Sequence, residues 1–135
     1  PEYSTACPSS TDKRACKGSF DEVQMDWLET ELINPEYCLI FLHHPIITDF
    51  NSIKIWSAAG AAWQVRSDDR FYTVVRTYKD RIKGIFVGHG HVQENDTFAG
   101  TIPVYETAAI GDYNGSGSHI RAVWMDPFTG KMITK

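Results

Sequence analysis

Positive charge, long apolar runs, cysteine and internal repetition are all scarce in this chain. Lysine and arginine number 13 against 17 aspartates and glutamates, a net charge of -4, so no basic stripe is available to hold a nucleic-acid backbone. No apolar run reaches the roughly 18 residues that a membrane-crossing helix requires. The 3 cysteines allow one bridge and one thiol: Cys7 and Cys16 bracket the polar loop "PSSTDKRA", which a disulfide would close, whereas Cys38 stands in an apolar run and reads as a buried thiol. No repeat, low-complexity tract or second domain interrupts the chain, and 42% hydrophobic with 13% aromatic content over 135 residues suits one globular domain. A domain of that size buries roughly two-thirds of its unfolded surface. A soluble protein with a small-molecule or protein partner is the expectation. The N-x-[ST] triplets at Asn95 and Asn114, with the cysteine pair, lean toward a secreted or otherwise oxidising compartment. No signal peptide is visible, and a start at Pro1 without methionine implies an upstream segment that has been lost or cut away.

What is present divides into a polar leader and a patterned domain. Residues 1 to 18 read as a loop or severed linker, and residues 19 to 135 as the domain. In "SFDEVQMDWLETEL", Ser19 with Glu22 three residues on forms a capping box, and Val23, Trp27, Leu28 and Leu32 repeat at helical spacing, so that face is expected to pack inward. Asn34-Pro35 ends the helix. "YCLIFL", residues 37 to 42, fits a strand covered on both faces. Residues 46 to 66 fit a loop or a short helix. From Ser67, "SDDRFYTVVRTYKDR" is a second capped helix with Phe71, Val74, Val75 and Tyr78 on one face, and "IKGIFVG" at 82 to 88 is another buried strand. Strand, helix and strand make a right-handed parallel βαβ unit. After it the period falls to two: "TIPVYETAAI", "HIRAVWMD" and "KMIT" read as antiparallel strands, with Asp126 to Gly130 as a hairpin turn. Trp27, Phe86 and Trp124 read as core, while Trp56, Trp63 and Tyr113 either line a groove or pack on the surface.

Ligands of open α/β sheets gather outside the carboxyl ends of the strands, and the histidines lie there. His43 and His44 follow the first strand, and His89 and His91 the second, so residues 46 positions apart can converge. Two imidazoles separated by one flexible residue can aim at one region, with Gly88 and Gly90 letting the backbone turn. With His43 at the adjacent strand end, metal binding becomes the favoured reading of His89 and His91 over polar residues in a turn. Zinc, manganese and iron all suit imidazole.

"QMDWLETEL", "LIFLHHP" and "GIFVGHGHV", in this order and spacing, resemble the C-terminal half of the calcineurin-like metallophosphoesterases, including the purple acid phosphatase and cyclic-nucleotide phosphodiesterase branches. The resemblance spans roughly residues 20 to 126, and "GTIPVYETAAIGDY" is loosely similar to the strand and loop beyond the family's last motif. It implies an α/β fold, the C-terminal half of an αββα sandwich, with a dinuclear site at its edge. His43 and His89 would bind one ion and His91 the other; His44 would act catalytically beside the substrate phosphate or stand just behind the ligands. In that family two ions hold the phosphoryl oxygens and acidify a bridging water that attacks phosphorus in line. Asp112 would accept a hydrogen bond from a ligand histidine.

The family's early D-x-H, G-D-x-x-D and G-N-H-[DE] motifs are absent, and "GDYNG" at 111 to 115 has Gly115 where the final Asp would fall. Three imidazoles without a bridging carboxylate suit at most one ion, so the chain resembles half a site. The missing N-terminal half, a partner chain or a swapped dimer is implied, together with a phosphoester substrate. The competing reading is a truncated, catalytically inactive binding module. A cupin also uses His-x-His, then Glu, then Gly, but two residues between His91 and Glu94 are too few, and capped helices are foreign to a small barrel. "GHGHVQ" departs from a dinucleotide fingerprint at Gln93.

Overall fold

Helix α1 starts at Asp21, whose carboxylate accepts the Gln24 amide at 2.7 Å, and runs Glu22–Ile33. The computed structural model describes residues 18–34, 36–50, 64–108 and 119–135. The Cys7–Cys16 pair, the Asn114 triplet, Trp56, Trp63, Asp112 and Tyr113 lie outside the described residues. The N-cap is therefore Asp21 rather than Ser19, two residues later than the capping box predicts. The inward stripe differs too. Met25 and Leu32 are buried with Leu28 partly so, whereas Val23 and Trp27 are 79% and 63% exposed on the opposite side of the wheel. The cause is tertiary: Met25 and Leu32 pack into the core shared with α2 and the sheet, and that rotation leaves Glu22, Asp26 and Glu29 as an acidic stripe that meets one guanidinium, Arg70, at 2.8, 2.6 and 2.5 Å. Arg81 closes the other end by donating to the carbonyls of Leu32 and Ile33, which lack helical partners. Trp27→Ala is accordingly expected to change the unfolding free energy by no more than about 0.5 kcal/mol in urea, whereas a core tryptophan would cost about 3–5 kcal/mol.

Strand β1, Cys38–Phe41, pairs in parallel with β2, Ile82–Val87, and α2, Arg70–Thr77, crosses between them. The expected βαβ unit is thus present. Helix α2 is capped by Asp69, not Ser67: one carboxylate oxygen accepts the Phe71 amide at 2.9 Å and the other the Phe20 amide at 3.0 Å, which ties the start of the domain to the crossover. Phe71, Val74 and Val75 are buried as their spacing predicts, and Tyr78 packs partly against the same core.

The sheet order is β1-β2-β4-β3, making it a four-stranded mixed sheet. Strand β4, Ile102–Glu106, is parallel to β2, a correction to the antiparallel reading, and antiparallel only to β3, Glu94–Phe98. The turn between β3 and β4 takes positive φ at Ala99 (53°) and Gly100 (74°), the twist that a tight hairpin favours. Among the described residues strand β1 is an edge strand with one neighbour, so it is half-buried and Phe41 is 67% exposed, rather than covered on both faces. Within it Cys38 is a free, half-buried thiol whose pKa burial pushes up.

The two helices pack on one face of the sheet, over Ile82, Ile85, Ile102 and Val104. On the other face Phe41, Phe86 and Tyr105 stack in register across three strands, with ring centroids 4.8 and 5.2 Å apart. Phe86 is buried, as expected of a core residue. The hairpin β5, Val123–Met125, and β6, Met132–Thr134, approaches this face where Met132 meets Gly84. Its turn is the expected one: Asp126 accepts the Phe128 amide and the Thr129 hydroxyl, and Gly130, at φ 65°, lies against the Tyr37 ring. Trp124 is not core. Paired with Ile133, it faces outward and is 54% exposed, because a two-stranded ribbon has only one covered face.

Candidate metal centre

Parallel pairing of β1 with β2 brings the two histidine motifs to the same sheet end. Beyond β1 the ladder continues for two more bonds, the Leu42 amide to the Phe86 carbonyl and the Gly88 amide to the His43 carbonyl, both at 3.0 Å, so the chain segments leave the sheet side by side. His43 Nε2 then stands 3.0 Å from His89 Nδ1, with the rings nearly perpendicular. His44 stacks on His89 at 5.3 Å and 27°, and meets His43 edge-on. Three of the four predicted site histidines therefore form one cluster. His91 sits at the far side of the turn, near enough for its charge to act on His89. Among the described residues, no three His, Cys, Asp or Glu side chains form a group able to hold a metal ion.

Burial lowers the pKa of both His44 and His89, and neighbouring imidazoles lower each further: His89 and then His43 for His44, and His43 and then His91 for His89. The neutral imidazole, which is the form that ligates metal, is favoured at both positions.

The turn itself differs from expectation. Its left-handed residues are not glycines but the histidines, His89 at φ 76° and His91 at φ 57°, conformations that cost non-glycine residues about 1–3 kcal/mol each. A Cβ on Gly88 would meet only ordinary contacts, whereas one on Gly90 would collide with the Glu106 carboxylate. Gly90 is needed for space rather than for φ. Its amide donates to Glu106 Oε1 at 2.6 Å.

Glu106 is the residue that sequence reasoning missed. It ends β4, is fully buried, and its Oε2 has no hydrogen-bond partner among the described residues. Burial pushes its pKa up to about 7, against the Gly90 hydrogen bond that lowers it and with a smaller rise from Glu94, its cross-strand neighbour. A signal existed: in "TIPVYETAAI" the alternation puts Glu106 in phase with Ile102 and Val104, on the buried side.

Arg121 is a second missed residue. It donates through Nε to the Thr107 hydroxyl and through Nη2 to the Glu106 carbonyl, and its guanidinium lies 4.9 Å from the Tyr105 ring centroid. Together with His43, Gly88 and Thr107 it lines an open groove of about 450 Å³. A cation and an imidazole thus share one concavity at the carboxyl end of the sheet. No protein-family model matches the chain, and no curated protein matches it.

Proposed function

We propose that this chain carries half of a metallophosphoesterase site and takes part in metal-dependent hydrolysis of a phosphomonoester or phosphodiester. The remaining ligands would come from an N-terminal half, a partner chain or a swapped copy. The observation that carries this reading is the 3.0 Å approach of His43 Nε2 to His89 Nδ1 from adjacent parallel strands. Two imidazole nitrogens bound to one tetrahedral zinc at about 2.0–2.1 Å stand about 3.3 Å apart, so the pair fits one ion with little movement. The donor set fits one ion and not two, since a dinuclear centre needs further carboxylates.

In this reading His43 and His89 hold the ion, and His91, across the turn, belongs to a second ion completed by the missing half. A zinc, manganese or iron ion so held supplies Lewis acidity toward a phosphoryl oxygen and acidifies water. His44, kept neutral by burial, offers a ring nitrogen for proton transfer beside the ester. Arg121 places a fixed positive charge on the wall of the groove, where an anionic ester would lie. The αββα half-fold belongs to the same proposal: helices cover one face of the sheet, and a second sheet would pack over the aromatic row of Phe41, Phe86 and Tyr105.

The competing reading is a catalytically inactive binding module; that the described residues include no group of three metal donors is common to it and to a half-site. Elemental analysis of the purified chain beside a His89→Ala, His91→Ala double variant separates the two. About one transition-metal ion per chain, lost in the variant, is expected for the enzyme reading. Reassembly with an N-terminal fragment should then yield metal-dependent turnover. Metal-free protein in both preparations would favour the binding module.

A further inference from the structure

We propose that Glu106 is the positioning residue of this site: its buried carboxylate, by accepting the Gly90 amide, holds His89 and His91 in the left-handed backbone that aims their imidazoles. The setting of the turn stands on its own geometry. The consequence for metal affinity rests on the reading of His43 and His89 as ligands.

Three observations converge. First, two alternate positions of the turn, His89 and His91, occupy the region that side chains avoid, and such a conformation persists only where its surroundings over-determine it. Secondly, the one residue between them is fixed from below by a hydrogen bond of 2.6 Å to a side chain that is itself fully buried and rooted in β4, a central strand of the sheet. Thirdly, glycine at position 90 leaves room for that carboxylate where it stands, since a Cβ there would force the buried Glu106 side chain to shift. A buried carboxylate oxygen without a hydrogen-bond donor among the described residues is unfavourable to folding. A side chain chosen for packing alone would be apolar, like Ile102 and Val104 on the same face. Chemically, the arrangement is that of an outer-shell carboxylate which orients ligands through the backbone rather than through a ring N–H.

The test compares Glu106→Gln, which keeps an acceptor for the Gly90 amide, with Glu106→Met, which keeps the length and loses the acceptor. In the metal-free protein, hydrogen exchange of the Gly90 amide should stay within about threefold of wild type in the glutamine variant and accelerate at least about tenfold in the methionine variant. Exchange of the Ile85 and Phe86 amides should be unchanged in both. The intense intraresidue amide-to-Hα nuclear Overhauser effects that mark positive φ should persist at His89 and His91 in the first variant and weaken in the second. Zinc affinity, measured by chelator competition, should fall about 10–100-fold in the methionine variant and recover in the glutamine variant. If Glu106→Met does not fold, Glu106→Asp, which withdraws the carboxylate by one methylene, takes its place with the same expectations. Retained Gly90 protection and retained left-handed signatures without the acceptor would overturn the proposal. The exchange and Overhauser readings need no metal, so they decide this proposal whether or not the wild-type chain binds zinc without its missing ligands.

Discussion

Glu106→Gln gains stability on the wild-type protein as pH rises, by about 3 kcal/mol between pH 4.5 and 7. Below about pH 4.5 the glutamate is protonated both folded and unfolded, and its titration contributes no difference. Between 4.5 and about 7 the folded protein keeps a proton that the unfolded chain has released, so wild-type stability falls by about 1.4 kcal/mol per pH unit from this group. Above about 7 the folded protein holds a buried carboxylate and the loss is complete. Glutamine does not titrate and has no such slope. His44 and His89 act in the opposite direction: their lowered pKa values mean that folding excludes a proton, so their contribution is present above about pH 6.5 and is lost as pH falls. That term is common to both proteins and drops out of the difference. Urea unfolding of the pair at half-unit steps from pH 4.5 to 7.5 reads the effect directly, and a difference that does not change with pH would show that Glu106 is not held in a proton-retaining environment.

Phe71→Ala is expected to cost about 3–5 kcal/mol, a large part of the about 5–15 kcal/mol that holds a domain of this kind together. Phe71 is 1% exposed in the first turn of α2, where it stacks on Phe20 at 5.2 Å and meets Tyr72 edge-on at 5.7 Å. The cavity would open between α1, α2 and the sheet, beside the Tyr72 hydroxyl that accepts the Ile47 amide and donates to the Val65 carbonyl. The first bond anchors the chain just after His43 and His44, and the second holds Val65, whose amide donates to the Pro45 carbonyl, so the damage should reach the site: in the metal-free protein, histidine ring resonances should shift or broaden in Phe71→Ala. A loss below about 1 kcal/mol would mean that the Phe20–Phe71 stack is not part of the packed core.

Much of this organisation is legible from local pattern. The apolar runs at 38–41 and 82–87, with a period-3.6 stripe at 71, 74, 75 and 78 between them, suffice for a βαβ unit, because a buried parallel strand and its crossover helix each carry their burial in their own residues. The Asp126 turn is equally local, since its hydrogen bonds close within four residues. Strand β3 was not legible. "ENDTF" has poor strand propensity and becomes a strand through partners outside its own residues: β4, across the hairpin turn, and, far away in sequence, Thr48, whose hydroxyl donates to the buried Asp96 carboxylate at 2.5 Å.

By itself, then, the sequence determined which residues could share a strand end: His43 and His44 after one buried run, His89 and His91 after the next, with parallel pairing as the stable way to join them. Only the tertiary structure decided how α1 is rotated, because the core receives Met25 and Leu32 rather than Val23 and Trp27, with the acidic stripe beside Arg70 of another element. Tertiary structure also decided that β4 continues the parallel set and that its last residue, Glu106, rises beneath Gly90. The physical reason is the same in each case. Local periodicity suggests which face of an element is apolar, but which face the core receives, which strand pairs with which, and which buried group supports a strained turn depend on contacts between different elements.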